Sequence, residues 1–201
     1  RELEELIPSE GPAAGEKSGD GETINALEMA RSTFDHFNVD PEMALTQLRR
    51  LASLASSTMN WPTQLDPITK NGIAGAGHDL RVSAWFVRSF MRLLADDSRD
   101  ELRLALVWPK EWIGIGVEVH GLPSRHGPVS WAVRWHGNRP ALLWEVENGP
   151  EELNVQAPGL DMEFRGEGSV GEQLLNPIDH EIEIPVPRDP DRDAPPSGSF
   201  S

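Results

Sequence analysis

The segment from residue 58 to residue 78 holds the side chains whose chemistry most suggests a binding site. Trp61 offers a flat apolar face to a sugar ring, Asp66 accepts hydrogen bonds from hydroxyl groups, and His78 donates or accepts a hydrogen bond. Glycines at residues 72–77 let a ligand approach the backbone closely. We therefore predict that Trp61, Asp66 and His78 converge on one concave surface that binds carbohydrate. A structural interpretation stays open, in which Asp66 and the glycines only turn the chain and His78 is half-buried.

The sequence contains seven tryptophans and no tyrosine, and five of the tryptophans lie between residues 108 and 144. Exposed tryptophans are platforms for sugar rings, whereas buried ones fill a core. Trp131 and Trp135 fall on one face of a predicted strand, and Val129 and Val133 continue that face. This pattern favours the core interpretation, and we predict that Trp131 and Trp135 are buried.

Other catalytic patterns are absent from the sequence. The six histidines include no His-x-x-x-His pair that would set two metal ligands on one helix face, and no Gly-x-Ser-x-Gly motif occurs. Because there is no cysteine, disulfides and thiolate zinc sites are excluded. We predict no metal and no cofactor, and we assign no catalytic residue. Six carboxylates fall mostly on predicted strand faces, where solvation explains them: Glu101, Glu111, Glu118, Glu145, Glu147 and Glu163.

The formal net charge of −15 repels phosphate backbones and anionic lipid surfaces. Nucleic acid and membrane are therefore poor candidates as partners, and no apolar run reaches the roughly 20 residues of a membrane span. A cysteine-free chain fits a reducing compartment, so cytoplasm is the default prediction for its location. The start at Arg1 carries no initiator methionine, and we expect the chain to be part of something longer.

Apolar spacing predicts helices over residues 23–38, 41–57 and 79–97, with N-caps at Thr23, Asp40 and Asp79 in turn. In the third helix the apolar stripe is broad, which suggests packing on more than one side. Its central residues are Leu80, Ala84, Val87, Met91 and Leu94.

After Ser98 the apolar period changes from helical steps to alternation, which predicts an antiparallel β-sandwich of about six to eight strands between residues 101 and 186. The last strand would contain Ile182, Ile184 and Val186. The predicted fold class is α+β, with helices first and the sandwich second. The predicted domains are a disordered segment or linker at 1–22, a helical segment at 23–98, the sandwich at 99–186 and a disordered tail at 187–201.

Five short motifs occur in an order that resembles the C-terminal end of the six-hairpin (α/α)6 glycosidases, the group of α-L-rhamnosidase-like and glucoamylase-like enzymes. They are TMNWP at 58–62, GAGHD at 75–79, WFVRSF at 85–90, LALVWPKEW at 104–112 and LPSRHGPVS at 122–130. The resemblance implies the last helices of an (α/α)6 barrel followed by a β-sandwich appendage. It also implies a carbohydrate ligand and an upstream catalytic domain as partners.

The chain departs from this family where the family commonly places a glutamate, directly after Trp or Trp-Pro. Thr63 and Gln64 stand there instead, and neither side chain titrates near neutral pH. Hydrolysis by inversion needs an acid and a base carboxylate. We therefore expect the C-terminal portion of a glycoside hydrolase-like protein that is not catalytic by itself. The alternative is a non-catalytic carbohydrate-binding or structural accessory module.

Overall fold

The computed structural model describes residues 23–178 of the chain. Two compact units follow one another, the first ending at Asp96 and the second beginning at Asp97. Three predictions lie outside the described residues: the disordered segment or linker at 1–22, the strand at 182–186 and the disordered tail at 187–201.

The first unit contains the three predicted helices together with short strands. In chain order its elements are β1 (Ile24–Asn25), α1 (Ala26–His36), α2 (Pro41–Ser53), β2 (Gln64–Leu65), β3 (Gly72–Ala74), α3 (Leu80–Leu94) and β4 (Ala95–Asp96).

Side-chain caps fix where the helices begin. Asp40 accepts a hydrogen bond from the Met43 N–H at 2.9 Å, and Pro41 occupies the first turn of α2. Asp79 caps α3, as predicted. The N-cap of α1 is Asn25 and not Thr23, because Ile24 and Asn25 pair with β2 before the helix begins.

Strands β2 and β3 lie within the segment 58–78 and form a small antiparallel sheet with β1, in the order β1-β2-β3. Its strands contain two or three residues each, too few to show alternation. Backbone hydrogen bonds then fix the segment to the helices: the Ala26 N–H donates to the Thr63 carbonyl, and the Asp79 N–H donates to the Trp61 carbonyl. Residues 58–78 are thus tied into the unit at both ends.

Helix α3 packs through a different face from the one that its apolar stripe indicates. The buried side chains are Val82, Ser89 and Leu93, together with Arg92. Leu80 and Val87, at the centre of the predicted stripe, are exposed. Within the described helical unit the predicted stripe is therefore only partly covered, since Met91 and Leu94 are half-buried.

The second unit is built of strands. In chain order its elements are β5 (Leu102–Leu104), a short 3-10 helix (Lys110–Trp112), β6 (Val117–Leu122), β7 (Val129–His136), β8 (Arg139–Val146), β9 (Asn154–Ala157), β10 (Asp161–Glu167) and β11 (Val170–Leu174).

These strands form two sheets, which confirms the α+β class and the sandwich-like arrangement. The order β11-β8-β7-β6 makes an antiparallel four-stranded sheet. In the other sheet β9 lies between β10 and β5, and β5 runs parallel to β9. The pairing of β5 with β9 is therefore a parallel exception within the predicted antiparallel sandwich. The sheets meet where Trp144 of β8 contacts Phe164 of β10, with ring centroids 5.8 Å apart.

Alternation along β7 directs Val129, Trp131 and Val133 into the sandwich, where all three are buried. The prediction that Trp131 is buried is confirmed. Trp135 is only half-buried, and its indole N–H donates to the Ile115 carbonyl at 2.9 Å. The prediction for Trp135 is therefore wrong, because this residue lies where the strand approaches its end.

Candidate functional site

Trp61 lies in the core of the helical unit and offers no stacking face. The side chain is 1% exposed, and its indole N–H donates to the Leu51 carbonyl at 2.7 Å. The Trp61 ring contacts the Phe86 ring, with centroids 4.9 Å apart. The predicted role of Trp61 as a sugar platform is therefore wrong. The backbone hydrogen bonds from Ala26 to Thr63 and from Asp79 to Trp61 hold this segment against the helices.

Asp66 and His78 lie elsewhere on the same segment. One Asp66 carboxylate oxygen accepts the N–H groups of Ile68 and Thr69 at 2.8 and 2.9 Å. These bonds lower the pKa of Asp66 and make it a turn-forming residue. His78 is exposed. The structure does not bring the three predicted residues together on one exposed surface, because Trp61 is buried.

A buried carboxylate follows the segment directly: Asp79, which is 4% exposed. Thr63 donates its hydroxyl to Asp79 at 2.8 Å, and the Arg81 guanidinium donates to both Asp79 oxygens at 2.9 and 2.7 Å. Hydrogen bonds from Arg81, with a further one from Thr63, hold the pKa of Asp79 well below its usual range. With the bond from the Arg81 backbone N–H at 3.0 Å, the two oxygens of this carboxylate accept four hydrogen bonds.

Four tryptophans of the sandwich unit pack mainly against one another. Trp108 contacts Trp112, Trp131 and Trp135, with ring centroids 5.4, 6.4 and 6.5 Å apart. Trp108 and Trp131 are buried, while Trp112 and Trp135 are half-buried. The cluster fills one region of the core, in line with the structural interpretation of these residues.

The outer face of the four-stranded sheet carries a different set of side chains, and a groove of about 590 Å³ lies along it. One row crosses all four strands in register: Glu118 of β6 pairs with Ala132 of β7, which pairs with Leu143 of β8, which pairs with Glu172 of β11. The row has an apolar middle and a carboxylate at each end. We call the surface around this row the sheet groove.

A second row runs beside the first. Ser130 pairs with Glu145, and Glu145 pairs with Val170, which is 67% exposed. His120 and Arg134 also line the sheet groove. The His120 ring lies 3.4 Å from a carboxylate oxygen of Glu118, and the Ser130 hydroxyl accepts the Gly121 N–H at 3.0 Å. The sheet groove therefore combines hydrogen-bond acceptors and donors with an apolar strip.

The carboxylates at the two ends of the row are attached to widely separated strands. Glu118 and Glu172 are separated by three strand spacings, about 14 Å between backbones. Inverting and retaining glycosidases hold their two carboxylates within about 10 Å of each other. Glu145 lies closer to Glu172, but both are exposed on an open face, where no pocket shields a general acid from water. No group of three or more metal-ligating side chains occurs among residues 23–178.

The sequence indicates that Glu118 and Glu145 are solvated strand residues, and it does not show that they share one surface. The missing information was the pairing of β11 with β8, since Val170 and Glu145 are 25 positions apart in the chain. A usable signal was present on β7 and β8 themselves, because Ser130, Ala132 and Leu143 fall on the outward positions opposite the inward tryptophans.

Comparison of the chain with models of known protein families, with curated proteins and with solved structures found no match. Among the described residues, none of the helices has both the length and the apolar character needed to cross a membrane.

Proposed function

We propose that this chain is a non-catalytic carbohydrate-binding module, corresponding to the C-terminal portion of a glycoside hydrolase-like protein, and that it holds an oligosaccharide in the sheet groove. The observation that carries the proposal is the row from Glu118 to Glu172, with Ala132 and Leu143 between them. An upstream catalytic domain and a cytoplasmic location remain predictions that accompany it.

The chemistry of the sheet groove suits a neutral chain of sugars. Carboxylates such as Glu145 and Glu172 accept hydrogen bonds from sugar hydroxyls, and the Arg134 guanidinium donates hydrogen bonds to ring and hydroxyl oxygens. The apolar strip of Ala132 and Leu143 supports the C–H face of a sugar ring. Because the groove is open along the sheet, a chain-like ligand extends across several strands.

Two observations support binding without turnover. The backbones that carry Glu118 and Glu172 are about 14 Å apart, which is wider than the separation of roughly 10 Å or less between the two carboxyl groups of a glycosidase. In the helical unit, Thr63 and Gln64 stand where the resembling family places a glutamate, and Asp79 is committed to capping α3. A module with these residues binds the substrate, and another domain catalyses its hydrolysis.

The test is calorimetric titration of the chain with a panel of neutral α-linked oligosaccharides. Removing one charge-assisted hydrogen bond costs about 1.5–3 kcal/mol, so Glu145→Gln and Glu172→Gln should each weaken binding by about tenfold or more. Glu167→Gln is the matched control, since Glu167 is an exposed glutamate of β10 that lies outside the sheet groove. Each substitution preserves side-chain size and removes only charge.

Two results would contradict the proposal. One is the failure of every oligosaccharide to bind the wild-type chain. The other is tighter binding of a lysine-rich peptide, weakened by Glu145→Gln, because it would assign the acidic rim of the sheet groove to a basic protein partner.

A further inference from the structure

Helix α3 carries a line of apolar side chains that the described helical unit leaves uncovered. Leu80 is 72% exposed and Val87 is 53% exposed. Ala84 is also exposed, and Met91 and Leu94 are half-buried. We call these five residues the α3 stripe.

The α3 stripe lies opposite the face through which the helix joins the core. Successive residues of an α-helix are rotated by about 100°, which places Val82, Ser89 and Leu93 on the side away from Val87. Those three side chains are buried, at 0%, 0% and 3% exposure. The α3 stripe is therefore a second apolar face, and a contiguous exposed apolar face on a helix marks an interaction surface.

The spacing of the stripe indicates what covers it. From Leu80 the apolar positions follow at steps of four, three, four and three residues, ending at Leu94. This is the a/d pattern of a heptad repeat, whose side chains pack as knobs into the holes of a facing helix. Apolar residues at a and d positions fit one facing helix.

The charge beside the stripe indicates the chemistry of that helix. Arg81 and Arg88 occupy the two e positions on one flank, and the Arg81 side chain is 67% exposed. Asp79 holds the Arg81 guanidinium, and the Arg88 guanidinium lies 4.9 and 4.8 Å from the ring centroids of Phe34 and Trp85. The Asp79 carboxylate compensates the Arg81 charge, so the positive charge that this flank offers comes mainly from Arg88. Residues at e and g positions set partner choice by charge, so the complementary helix is acidic along this flank.

A second copy of the chain is a poor occupant for the same reason. In an antiparallel pair of α3 helices the Arg81 and Arg88 flank would face itself, and like charges at e positions oppose association. In a parallel pair this flank would face Ser83 and Phe90, which supply no negative charge.

We propose that the α3 stripe docks an amphipathic helix of a partner protein, with apolar residues at heptad spacing and glutamate or aspartate along the flank that meets Arg81 and Arg88. This interaction surface is independent of the sheet groove. It gives the chain a means of attachment that sugar binding does not supply.

The experiment uses the whole chain and two labelled synthetic peptides of about three heptads, both with leucine at a and d. One peptide carries glutamate at e and g, and the other carries lysine there, so that each repels itself and remains free to bind. Fluorescence anisotropy should show that the acidic peptide binds at least about tenfold more tightly than the basic one.

Variants locate the binding on α3. Val87→Asp and Leu80→Asp should each weaken binding of the acidic peptide by about tenfold or more, since each puts a charge into the apolar seam. Leu80→Asp places an acid in the first helical turn, where it favours helix formation, so this variant retains its fold. Met43→Asp, at an apolar residue that is 46% exposed on α2, is the matched control and should bind as the wild type does.

A charge variant tests the flank. Arg88→Glu should reduce the preference for the acidic peptide, whereas Arg31→Glu, at an exposed arginine of α1, should leave it unchanged. Equal binding of the two peptides, no binding of the acidic peptide, or binding unaffected by Val87→Asp would overturn the proposal. So would a dimer of the chain, seen by sedimentation velocity, that Val87→Asp dissociates, because it would assign the stripe to a second copy.

Discussion

Gly171 of β11 is a position at which a single methyl group should disturb the core of the sandwich sharply. It pairs with Trp144 of β8, and the Trp144 indole lies over it on the inner side of the sheet. A Cβ at residue 171 would lie 2.1 Å from Cζ2 and 2.4 Å from Cη2 of that ring. Carbon atoms in contact are normally about 3.5–4.0 Å apart, so the ring or the strand must move by more than about 1 Å.

Trp144 cannot move aside without losing contacts. Its indole N–H donates to the Gly168 carbonyl at 3.1 Å, and its ring meets Phe164 edge-on. Overpacking of a core costs about 1–3 kcal/mol, and a lost hydrogen bond adds about 1 kcal/mol. The lower backbone entropy of alanine in the unfolded chain returns about 0.4–1 kcal/mol. We expect Gly171→Ala to lower the free energy of unfolding by about 2–3 kcal/mol, a large share of the roughly 5–15 kcal/mol of a domain.

Urea denaturation followed by tryptophan fluorescence measures this loss. Gly116→Ala is the control, since a Cβ there meets only the Val133 carbonyl oxygen at 3.6 Å, and it should change stability by less than about 0.5 kcal/mol. In a Trp144→Leu background the additional cost of Gly171→Ala should fall markedly, because the clash is with the indole. An unchanged cost in that background, or a Gly171→Ala chain as stable as the wild type, would refute the reasoning.

Three further outcomes follow from the described contacts. Asp79→Asn should lower stability at neutral pH by about 0.5–2 kcal/mol through loss of the charged cap. Because the folded-state pKa of Asp79 lies below the ordinary value of 3.8, this contribution to stability is present above about pH 4 and is lost as the pH falls. The melting temperatures of the wild type and the variant should therefore converge in acid. Trp131→Ala should lower the free energy of unfolding by about 3–5 kcal/mol. Trp131→Phe should lower it far less, since this change removes a buried indole N–H that has no hydrogen-bond partner among the described residues. The purified chain should not hydrolyse aryl α-glycosides, because Thr63 and Gln64 cannot act as a general base; turnover abolished by one local substitution would contradict this.

The helix starts were predictable because the signals for them are local. Asp40 and Asp79 cap their helices through hydrogen bonds that span two or three residues, and such signals are visible in the sequence alone. The buried face of α3 was not predictable in the same way. Arg92 is buried there because it donates to the Phe34 carbonyl at 3.3 Å and to the carboxylate of Asp96 at 3.1 Å. A pattern of apolar residues cannot reveal that an arginine satisfied by its neighbours takes a core position.

The candidate site was harder to predict than the fold because it depends on register between distant strands. The alternation on β7 predicted correctly that Trp131 points inward, and it thereby also fixed Ser130 and Ala132 as outward residues. The pairing of Glu172 with Leu143 joins residues far apart in the chain, and only the folded sheet shows it. The sequence predicts that Trp61 is exposed, and this prediction is wrong. Strands β2 and β3 are too short for an alternating pattern to show that the segment packs against the helices.

Ionic strength separates the two proposed surfaces in one chain. The α3 stripe is flanked by Arg81 and Arg88 and should bind an acidic helix through charges at the exposed edge of the seam, which salt screens over about 8 Å at physiological ionic strength. The sheet groove offers Glu145 and Glu172 to neutral hydroxyls, and a neutral ligand has no counter-charge for salt to screen. Raising the salt concentration should therefore weaken binding of the acidic peptide and leave oligosaccharide binding nearly constant. An oligosaccharide affinity that fell as steeply as the peptide affinity would show that the ligand is recognised through charge, and the sheet groove would then be a site for a cationic partner.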